Sequence, residues 1–212
     1  MTSKTAQQWR EILIKCKVAP SVADRWALAF SQAINDTTFS AGSCEMDDFL
    51  GQVLHESAGL SRMEENLNYS ARRIEEIGNA ASPSSRWRAL VPRATELANN
   101  PVAFANACYG GRLGNNLSGD GFKYRGSSLI MVTGRANFAS LQQATGIPLV
   151  DNPDLLRRPG VEALRVCIAW WEANVPDSVM GDVVKVTRAV NGGAIGLDDR
   201  TRLAALAMGA LA

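Results

Sequence analysis

The sequence has 212 residues, of which 46% are hydrophobic and 20% charged, a composition typical of a folded globular protein rather than a disordered one. Its 22 Lys and Arg residues nearly balance its 21 Asp and Glu residues, so the formal charge of +1 provides no broad positive field for nucleic acid or an anionic membrane. The length fits one domain over 1–212 with a sizeable core.

The densest basic cluster consists of Arg86, Arg88 and Arg93 around Trp87. Three arginines at this spacing are more often a solvated helix face than a ligand site. We therefore predict no nucleic-acid partner.

The chain contains Cys16, Cys44, Cys108 and Cys167, with no Cys-x-x-Cys pair and a single histidine. This pattern argues against a structural zinc site, and we predict no metal or other cofactor. Each cysteine lies among apolar or small neighbours, which favours four buried free thiols over two disulfides.

The first eight residues lack the apolar core of a signal peptide, and no apolar run reaches the length of about 18 residues that would span a membrane. We expect a chain that is made in the cytosol without stable membrane association. A substrate outside the membrane would then require a separate release route.

Helical periodicity dominates the N-terminal part of the chain. A first helix is predicted around Trp9 and Leu13, and Pro20 ends it and opens a second helix around Trp26 and Phe30. A third helix carries the apolar stripe Met46, Phe49, Leu50, Val53 and Leu54.

Glu56 lies about a quarter turn from the centre of the third stripe, whereas His55 points nearly opposite to it. Glu56 is therefore predicted at the boundary of the core. From spacing alone, a surface charge at a helix end is the more common interpretation of such a glutamate.

The segment from Ser70 to Ala107 is predicted to form two or three short helices, interrupted at 82–85 and at 99–101. A glycine-rich loop follows at 109–121. It does not resemble a phosphate-binding loop, because it follows no strand and lacks a Gly-Lys-Ser/Thr ending.

The remaining chain is also mostly helical, with a short extended piece possible within 122–133 and a proline-containing loop at about 146–159. Helices are predicted at about 134–144, 161–173 and 178–190, and a last one begins at Asp198 or Asp199. Alternating strand and helix signals are missing, so the predicted fold is mainly α rather than a parallel sheet.

Five motifs occur in an order that is typical of one family. They are His55-Glu56-Ser57-x-Gly59, Glu65-Asn66-Leu67-Asn68-Tyr69-Ser70, Gly119-Asp120-Gly121-Phe122-Lys123-Tyr124-Arg125-Gly126, Leu129-Ile130-Met131-Val132-Thr133-Gly134-Arg135-x-Asn137 and Val190-Asn191-Gly192-Gly193-x-x-Gly196. Through them the chain resembles the chitinase-like glycoside hydrolases of family 19, and their bacteriophage endolysin branch in particular, over about residues 44–203.

The resemblance implies a lysozyme-like, two-lobed helical fold with a saccharide-binding groove. The large lobe would comprise about 1–69 and 108–212, and the small helical lobe about 70–107. It also implies hydrolysis with inversion, for which two carboxyl groups about 6.5–9.5 Å apart admit a water molecule between them and the sugar.

By this resemblance, Glu56 is the general acid, Glu65 is the general base and Thr133 helps to hold the attacking water. Glu64 is the rival for the base. Adjacent side chains point apart, so one of the two should face the groove, and the match to Glu-Asn-Leu-Asn-Tyr favours Glu65.

Substrate binding is assigned by the same resemblance to Tyr124, Arg125, Asn137 and Asn191, of which Tyr124 and Arg125 are expected to line or brace the groove. Amide groups suit a neutral polyhydroxy ligand because they both donate and accept hydrogen bonds. Arg200 is expected to orient a carboxylate from behind, and Asn191 is also expected to cap the helix before Gly192. His55 is expected to be structural.

The sequence departs from the family pattern after Gly126. Ser127, Ser128 and Met131 stand where the family commonly has Arg, Gly and Gln. These departures leave the carboxylates in place but affect polar positions expected near the substrate.

The favoured hypothesis is an endolysin that hydrolyses the glycan backbone of peptidoglycan for host lysis. It would be a monomer, released to the periplasm through a holin-type partner that the family implies. A chitinase, a lytic transglycosylase and a non-catalytic saccharide-binding protein remain alternatives. A metallopeptidase is disfavoured, because Gly59 occupies the place of the second zinc-binding histidine.

Overall fold

The computed structural model describes residues 3–212, apart from the side chain of Ser43. Within that range the protein is helical and forms no β-strand, so the prediction of a mainly α fold is confirmed. In place of the short extended piece predicted within 122–133, the described residues form two isolated antiparallel bridges. They join Ser127 to Val132 and Ser127 to Glu64.

The α-helices are named here in chain order. They are α1 (Ala6–Lys15), α2 (Pro20–Ala33), α3 (Ser43–Glu56), α4 (Ala71–Ala80), α5 (Arg86–Leu90), α6 (Ala94–Leu97), α7 (Pro101–Tyr109), α8 (Asp120–Lys123), α9 (Arg135–Thr145), α10 (Val161–Asn174), α11 (Val183–Asn191) and α12 (Leu197–Leu211). Short 3₁₀ helices span Val91–Arg93, Pro153–Arg157 and Asp177–Val179.

The first two helices form a packed pair whose boundaries follow from local chemistry. Thr5 and Gln8 form a capping box at the start of α1, and Pro20 occupies the first turn of α2, where its missing N–H costs nothing. The buried Trp26 indole donates a hydrogen bond to the carbonyl of Leu60, 3.1 Å away. This pair therefore anchors the segment that follows α3.

The larger hydrophobic core holds α3 against α12. A glycine at position 51 permits this approach, because a Cβ there would lie 2.9 Å from the Cβ of Ala204. The close packing fixes the C-terminal end of α3 relative to α12.

A second, smaller core lies within residues 67–108 and overlaps the segment predicted as the small lobe. Its buried members are Leu67, Ile74, Leu90, Ala94, Leu97, Phe104, Ala105 and Cys108. Four α-helices contribute where two or three were predicted. The predicted interruptions occur at helix starts, since Ser85 caps α5 and Asn100 caps α7.

Two sequence predictions are wrong. Helix α11 begins at Val183 rather than near 178, because Gly181 has φ +80° and Asp182 caps the helix by accepting a hydrogen bond from Lys185 N. Cys44 is exposed, although Cys16, Cys108 and Cys167 are buried, and all four are free thiols.

No helix among the described residues has the length and apolarity needed to cross a membrane. The prediction about the N-terminal leader falls partly on Met1 and Thr2, which lie outside the described residues.

Candidate active site

Glu56 is the last residue of α3, where the chain turns sharply. Gly59 N donates to the carbonyl of Leu54 at 2.7 Å, and Gly59 has φ +67°. The buried Ser57 hydroxyl donates to the Val53 carbonyl and accepts a hydrogen bond from Leu60 N. These contacts fix the helix end, and the Glu56 side chain is 25% exposed there.

Arg200, on α12, holds the Glu56 carboxylate from behind, as the family resemblance implies. Its guanidinium is 2% exposed and donates from Nη2 to Glu56 Oε1 at 2.5 Å. The same group donates to Gln52 Oε1 at 2.5 Å and to the Ile195 carbonyl at 3.0 Å. Gln52 in turn donates to the Thr187 hydroxyl at 3.1 Å. We call these residues, together with Asn191, the Glu56 network.

Asn191 joins this network through a shared carbonyl. Its Nδ2 donates to the Ile195 carbonyl at 3.2 Å, and its Oδ1 accepts from Gly193 N at 2.8 Å. Gly192 has φ +75° and ends α11, so Asn191 also stabilises the helix terminus.

His55 points away from Glu56 and toward the start of α12. Its Nδ1 lies 2.8 Å from Asp199 Oδ2, and the ring packs against Gly196, where a Cβ would lie 2.3 Å from His55 Cε1. This contact explains the glycine at 196. It gives the histidine a structural role.

Glu65 lies in irregular backbone, and its carboxylate accepts hydrogen bonds from two residues that are distant in the sequence. Tyr109 Oη donates to Oε2 at 2.6 Å, and Gly126 N donates to Oε1 at 2.5 Å. The backbone also pairs, since Glu65 N donates to the Gly126 carbonyl at 3.0 Å. Burial, reinforced by the hydrogen bond to Glu65, raises the pKa of Tyr109 far above its ordinary value, so this hydroxyl stays protonated and remains a donor.

Glu64 points away from Glu65, as predicted for adjacent residues. Its side chain is 43% exposed and pairs with the guanidinium of Arg125. The Arg125 side chain is 11% exposed, and its guanidinium stacks over Phe122, 4.1 Å from the ring centroid. Glu64 thus forms a salt bridge, whereas the Glu65 carboxylate accepts hydrogen bonds from two neutral donors.

Tyr124 was predicted to line or brace the groove, and its burial leaves the bracing role and excludes direct substrate contact. Its side chain is 0% exposed, its hydroxyl donates to the Val150 carbonyl at 2.9 Å, and its ring packs against Phe138. The tyrosine therefore braces the loop that carries Arg125 and Gly126. Arg125 also braces this loop, because its side chain is largely enclosed by Glu64 and Phe122.

Thr133 and Asn137 lie together beside the Glu65 backbone pairing. Ser127 and Val132 exchange two backbone hydrogen bonds, of 3.0 and 2.7 Å, which places Thr133 next to them. Asn137 Nδ2 donates to the Thr133 carbonyl at 2.7 Å, and the Thr133 hydroxyl donates to the Met131 carbonyl at 3.0 Å. We call Tyr109, Glu65, Gly126, Ser127, Val132, Thr133 and Asn137 the Glu65 network.

Arg157 supports the Glu65 network at the position where the sequence departs from the family. Its Nε donates to the Ser127 hydroxyl at 2.9 Å and its Nη2 to the Lys123 carbonyl at 2.5 Å. Ser127 Oγ donates onward to the Arg125 carbonyl at 2.8 Å. Arg157, the last residue of the 3₁₀ helix Pro153–Arg157, thus brings a guanidinium to position 127, where the family commonly has an arginine.

The sequence reasoning missed Gln52, Tyr109 and Arg157 as site residues. Gln52 carried a signal, because it is a polar residue one helical turn before Glu56 and borders an apolar stripe. Tyr109 and Arg157 carried none, since their contacts join positions far apart in the chain.

Among residues 3–212 the structure brings together no group of three or more His, Cys, Asp or Glu side chains that could hold a metal ion. In the same range no hydrogen bond or ion pair joins the Glu56 network to the Glu65 network. The two carboxylates are therefore positioned independently of each other.

Comparison with known proteins places this arrangement in a family, although no protein-family model matches the chain. The chain is 35% identical over 162 residues to a glycosyl hydrolase family 19 domain-containing protein of Haemophilus influenzae, covering 73% of this chain and 74% of that protein. It is also similar to the crystal structure of a chitinase C mutant, with a TM-score of 0.52, 16% identity and coverage of 98% of this chain and 91% of the other. Chitinase C from Streptomyces griseus HUT6037 gives a TM-score of 0.49 at the same identity and coverage.

The likeness to the chitinase C mutant shows a shared fold, and the Haemophilus relative has the identity and coverage that establish a family. The chain belongs to glycosyl hydrolase family 19 and is a chitinase-like glycoside hydrolase.

Proposed function

We propose that the protein is an endolysin that hydrolyses the glycan backbone of bacterial peptidoglycan with inversion, for host cell lysis. The observation that carries the chemical part of this proposal is the pair of independently held carboxylates, Glu56 on a buried arginine and Glu65 on two neutral donors. Carboxyl groups in unlike surroundings can take the opposite roles of acid and base. The match of five sequence motifs to the endolysin branch supports peptidoglycan as the polymer.

Glu56 is the general acid in this proposal. Its proton passes to the glycosidic oxygen as the bond to the anomeric carbon breaks. The Arg200 guanidinium, 2.5 Å from Oε1, stabilises the carboxylate that Glu56 then becomes.

Glu65 is the general base. A carboxylate has about four lone-pair positions, and Tyr109 and Gly126 occupy one on each oxygen, so Glu65 can still accept a proton from water. Thr133, which follows the Ser127–Val132 backbone pairing, is the residue proposed to orient that water. Attack on the face opposite to the leaving group adds the hydroxyl to the anomeric carbon and inverts its configuration.

A chitinase is the second candidate function, because solved structures similar to this chain are chitinases. Chitin and peptidoglycan both present N-acetylglucosamine. Activity on neutral chitin oligomers, with none on peptidoglycan, would favour this candidate.

The test is digestion of purified Gram-negative peptidoglycan followed by reducing-end labelling and mass spectrometry of the fragments. We expect new reducing ends, an initially inverted anomer by NMR, and no product from a Glu56→Gln variant of unchanged circular dichroism. Anhydro sugars would instead identify a lytic transglycosylase. Binding to cell walls without new reducing ends would identify a non-catalytic saccharide-binding protein.

We also propose that the monomeric enzyme accumulates in the host cytoplasm and reaches the cell wall through a holin-type partner. Added protein should clear permeabilised Gram-negative cells while leaving intact cells unaffected. Clearing of intact cells by the same preparation would contradict the need for a release step.

A further inference from the structure

A pocket of about 400 Å³ lies beside the segment 57–64, which joins the two carboxylates of the active site. Arg25, Arg62 and Arg157 line it, and among the described residues Glu64 is the one acid in the lining. The volume is in the range of small-molecule binding pockets. The lining therefore carries more positive than negative charge, in a chain whose formal charge is only +1.

The pocket is separate from the pair of carboxylates. Within residues 3–212, neither Glu56 nor Glu65 contributes to its lining. Glu64 does contribute, but it points away from Glu65 and its charge is paired with Arg125. A ligand in this pocket would therefore bind outside the position of the glycosidic bond.

Hydrogen bonds fix the walls of the pocket relative to each other. Arg62 N donates to the Ser57 carbonyl at 2.8 Å, which closes the turn after α3. On α2, the Trp26 indole next to Arg25 donates to the Leu60 carbonyl at 3.1 Å. This bond fastens α2 to the same turn. Arg25 and Arg62 therefore extend from two segments that are held together before any ligand binds.

Arg157 is the enclosed charge of the pocket. Its side chain is 8% exposed and pairs with Asp154, and it donates from Nε to Ser127 Oγ at 2.9 Å and from Nη2 to the Lys123 carbonyl at 2.5 Å. A guanidinium has five N–H groups, so two of them have no acceptor within the described part of the chain. Arg157 is thus held in place by the protein and keeps donors for a ligand.

Arg25 and Arg62 are exposed and have no acidic partner. Arg62 makes one hydrogen bond, from Nη2 to the Glu56 carbonyl at 2.9 Å, and Arg25 makes no hydrogen bond or ion pair with any other residue in the range 3–212. The acid next to Arg25, Asp24, pairs with Arg10 at 2.5 Å. Two accessible guanidiniums therefore line one pocket without a carboxylate to neutralise them.

We propose that this pocket binds a phosphate monoester, with Arg25 and Arg62 as its contacts and Arg157 at its buried wall. A phosphate monoester carries close to two negative charges at neutral pH and so matches two free guanidiniums, whereas a carboxylate matches one. The volume also exceeds that of a bare phosphate ion, which leaves space for the group that the ester carries. The site does not depend on which polymer the enzyme hydrolyses.

Bound phosphate would also stabilise the turn that carries Glu56. Arg62 uses one of its N–H groups on the Glu56 carbonyl, so an anion can bind the others without breaking that contact. A ligand that binds only the folded state raises the melting temperature in a concentration-dependent way. We therefore expect glycerol 3-phosphate to raise the melting temperature of the enzyme.

Isothermal titration calorimetry of the unsubstituted enzyme, at neutral pH and constant ionic strength, compares glycerol 3-phosphate, inorganic phosphate and acetate. We expect glycerol 3-phosphate to bind at least as tightly as inorganic phosphate, and acetate to bind about 10-fold more weakly because it carries a single charge. Equal affinity for all three anions would overturn the phosphate site. Binding of inorganic phosphate alone would identify a site for the free ion and overturn the ester as the ligand.

Arg25→Gln and Arg62→Gln should each weaken the binding of glycerol 3-phosphate about 10-fold, because each removes charge-assisted hydrogen bonds. Arg165→Gln is the matched control, since it removes one positive charge from an exposed site on α10. It should bind glycerol 3-phosphate like the parent. Equal losses in all three variants, each of unchanged circular dichroism, would show general charge attraction and overturn the site.

Amide chemical shifts of the ¹⁵N-labelled enzyme locate the ligand without any substitution. We expect glycerol 3-phosphate to shift the amide signals of Arg25 and of residues 60–64, which line the pocket. Shifts confined to Tyr109, Thr133 and Asn137 would place the anion in the saccharide groove instead and would overturn the pocket as its site.

Discussion

The carboxylates Glu56 and Glu65 are nine residues apart in the chain, and their surroundings are built in different ways. Glu56 lies on a helix, and its partner Arg200 comes from the helix packed against it and is itself held by Gln52, one turn before Glu56. Glu65 lies in irregular backbone, and its partners Tyr109 and Gly126 come from two separate later segments. The position of Glu56 thus depends on helix packing, whereas that of Glu65 depends on several turns being correct at once.

The largest expected effect is on the helix-held carboxylate. Glu56→Gln keeps the shape and the hydrogen bond to Arg200 but removes the transferable proton, so we expect kcat on peptidoglycan to fall about 1,000-fold or more. Circular dichroism and the melting temperature check that the fold is intact. Retention of more than about a tenth of the activity would mean that another group is the acid.

The next prediction separates the two adjacent glutamates. Glu65→Gln removes the proposed base, and we expect kcat to fall at least about 100-fold. Glu64→Gln is the matched control, because Glu64 is exposed and paired with Arg125, and we expect it to change kcat by less than about threefold. The reverse order of effects would assign the base to Glu64.

A smaller effect is expected when a single donor is removed from the Glu65 side. Tyr109→Phe keeps the ring in the second core but deletes the 2.6 Å hydrogen bond to Glu65 Oε2. A hydrogen bond to a charged acceptor corresponds to about 10-fold in rate, so kcat should fall by about that factor with KM little changed.

Tyr69→Phe is a suitable control for Tyr109→Phe, because Tyr69 packs its ring on Trp87 and Phe104 and, among the described residues, its hydroxyl donates no hydrogen bond to Glu65. An unchanged kcat in Tyr109→Phe would show that Gly126 N alone suffices to position Glu65. An equal loss in both variants would indicate damage to the second core instead.

The same difference between the two regions explains what could be predicted from the sequence. The apolar stripe of α3 was sufficient to place Glu56 at the core boundary, because helical periodicity is a local property. Arg200 is 144 residues from Glu56, and only the resemblance to a family, not periodicity, indicated its role. Tyr109 and Arg157 carried no signal, since turns bring them to Glu65 and Ser127 from distant segments.

Tyr124 illustrates the limit of transferring roles by motif. It lies in a matched motif next to Arg125, yet its ring is fully buried and its hydroxyl is used by the Val150 carbonyl. A residue within a functional motif can thus stabilise a loop without contacting the substrate. Burial, which distinguishes support from contact, depends on tertiary packing that no local pattern reports.

The smallest expected effect tests the departure from the family at Ser128, in the irregular region. Ser128 has φ +73° and is fully buried, with a hydroxyl that has no hydrogen-bond partner. A left-handed backbone conformation costs a residue other than glycine about 1 kcal/mol, and an unpaired buried hydroxyl costs about 1–3 kcal/mol. Glycine lowers both costs but adds backbone entropy of about 1 kcal/mol to the unfolded state.

Ser128→Gly should therefore raise the free energy of unfolding by about 1 kcal/mol, measured by urea denaturation. The backbone bonds of residue 128 to Leu156 and Met131 are kept, so activity should be retained. Ser127→Ala is the matched control with the opposite sign, because the Ser127 hydroxyl bonds both Arg157 and the Arg125 carbonyl. Lower stability in Ser128→Gly would mean that packing around the side chain outweighs the strain of its backbone.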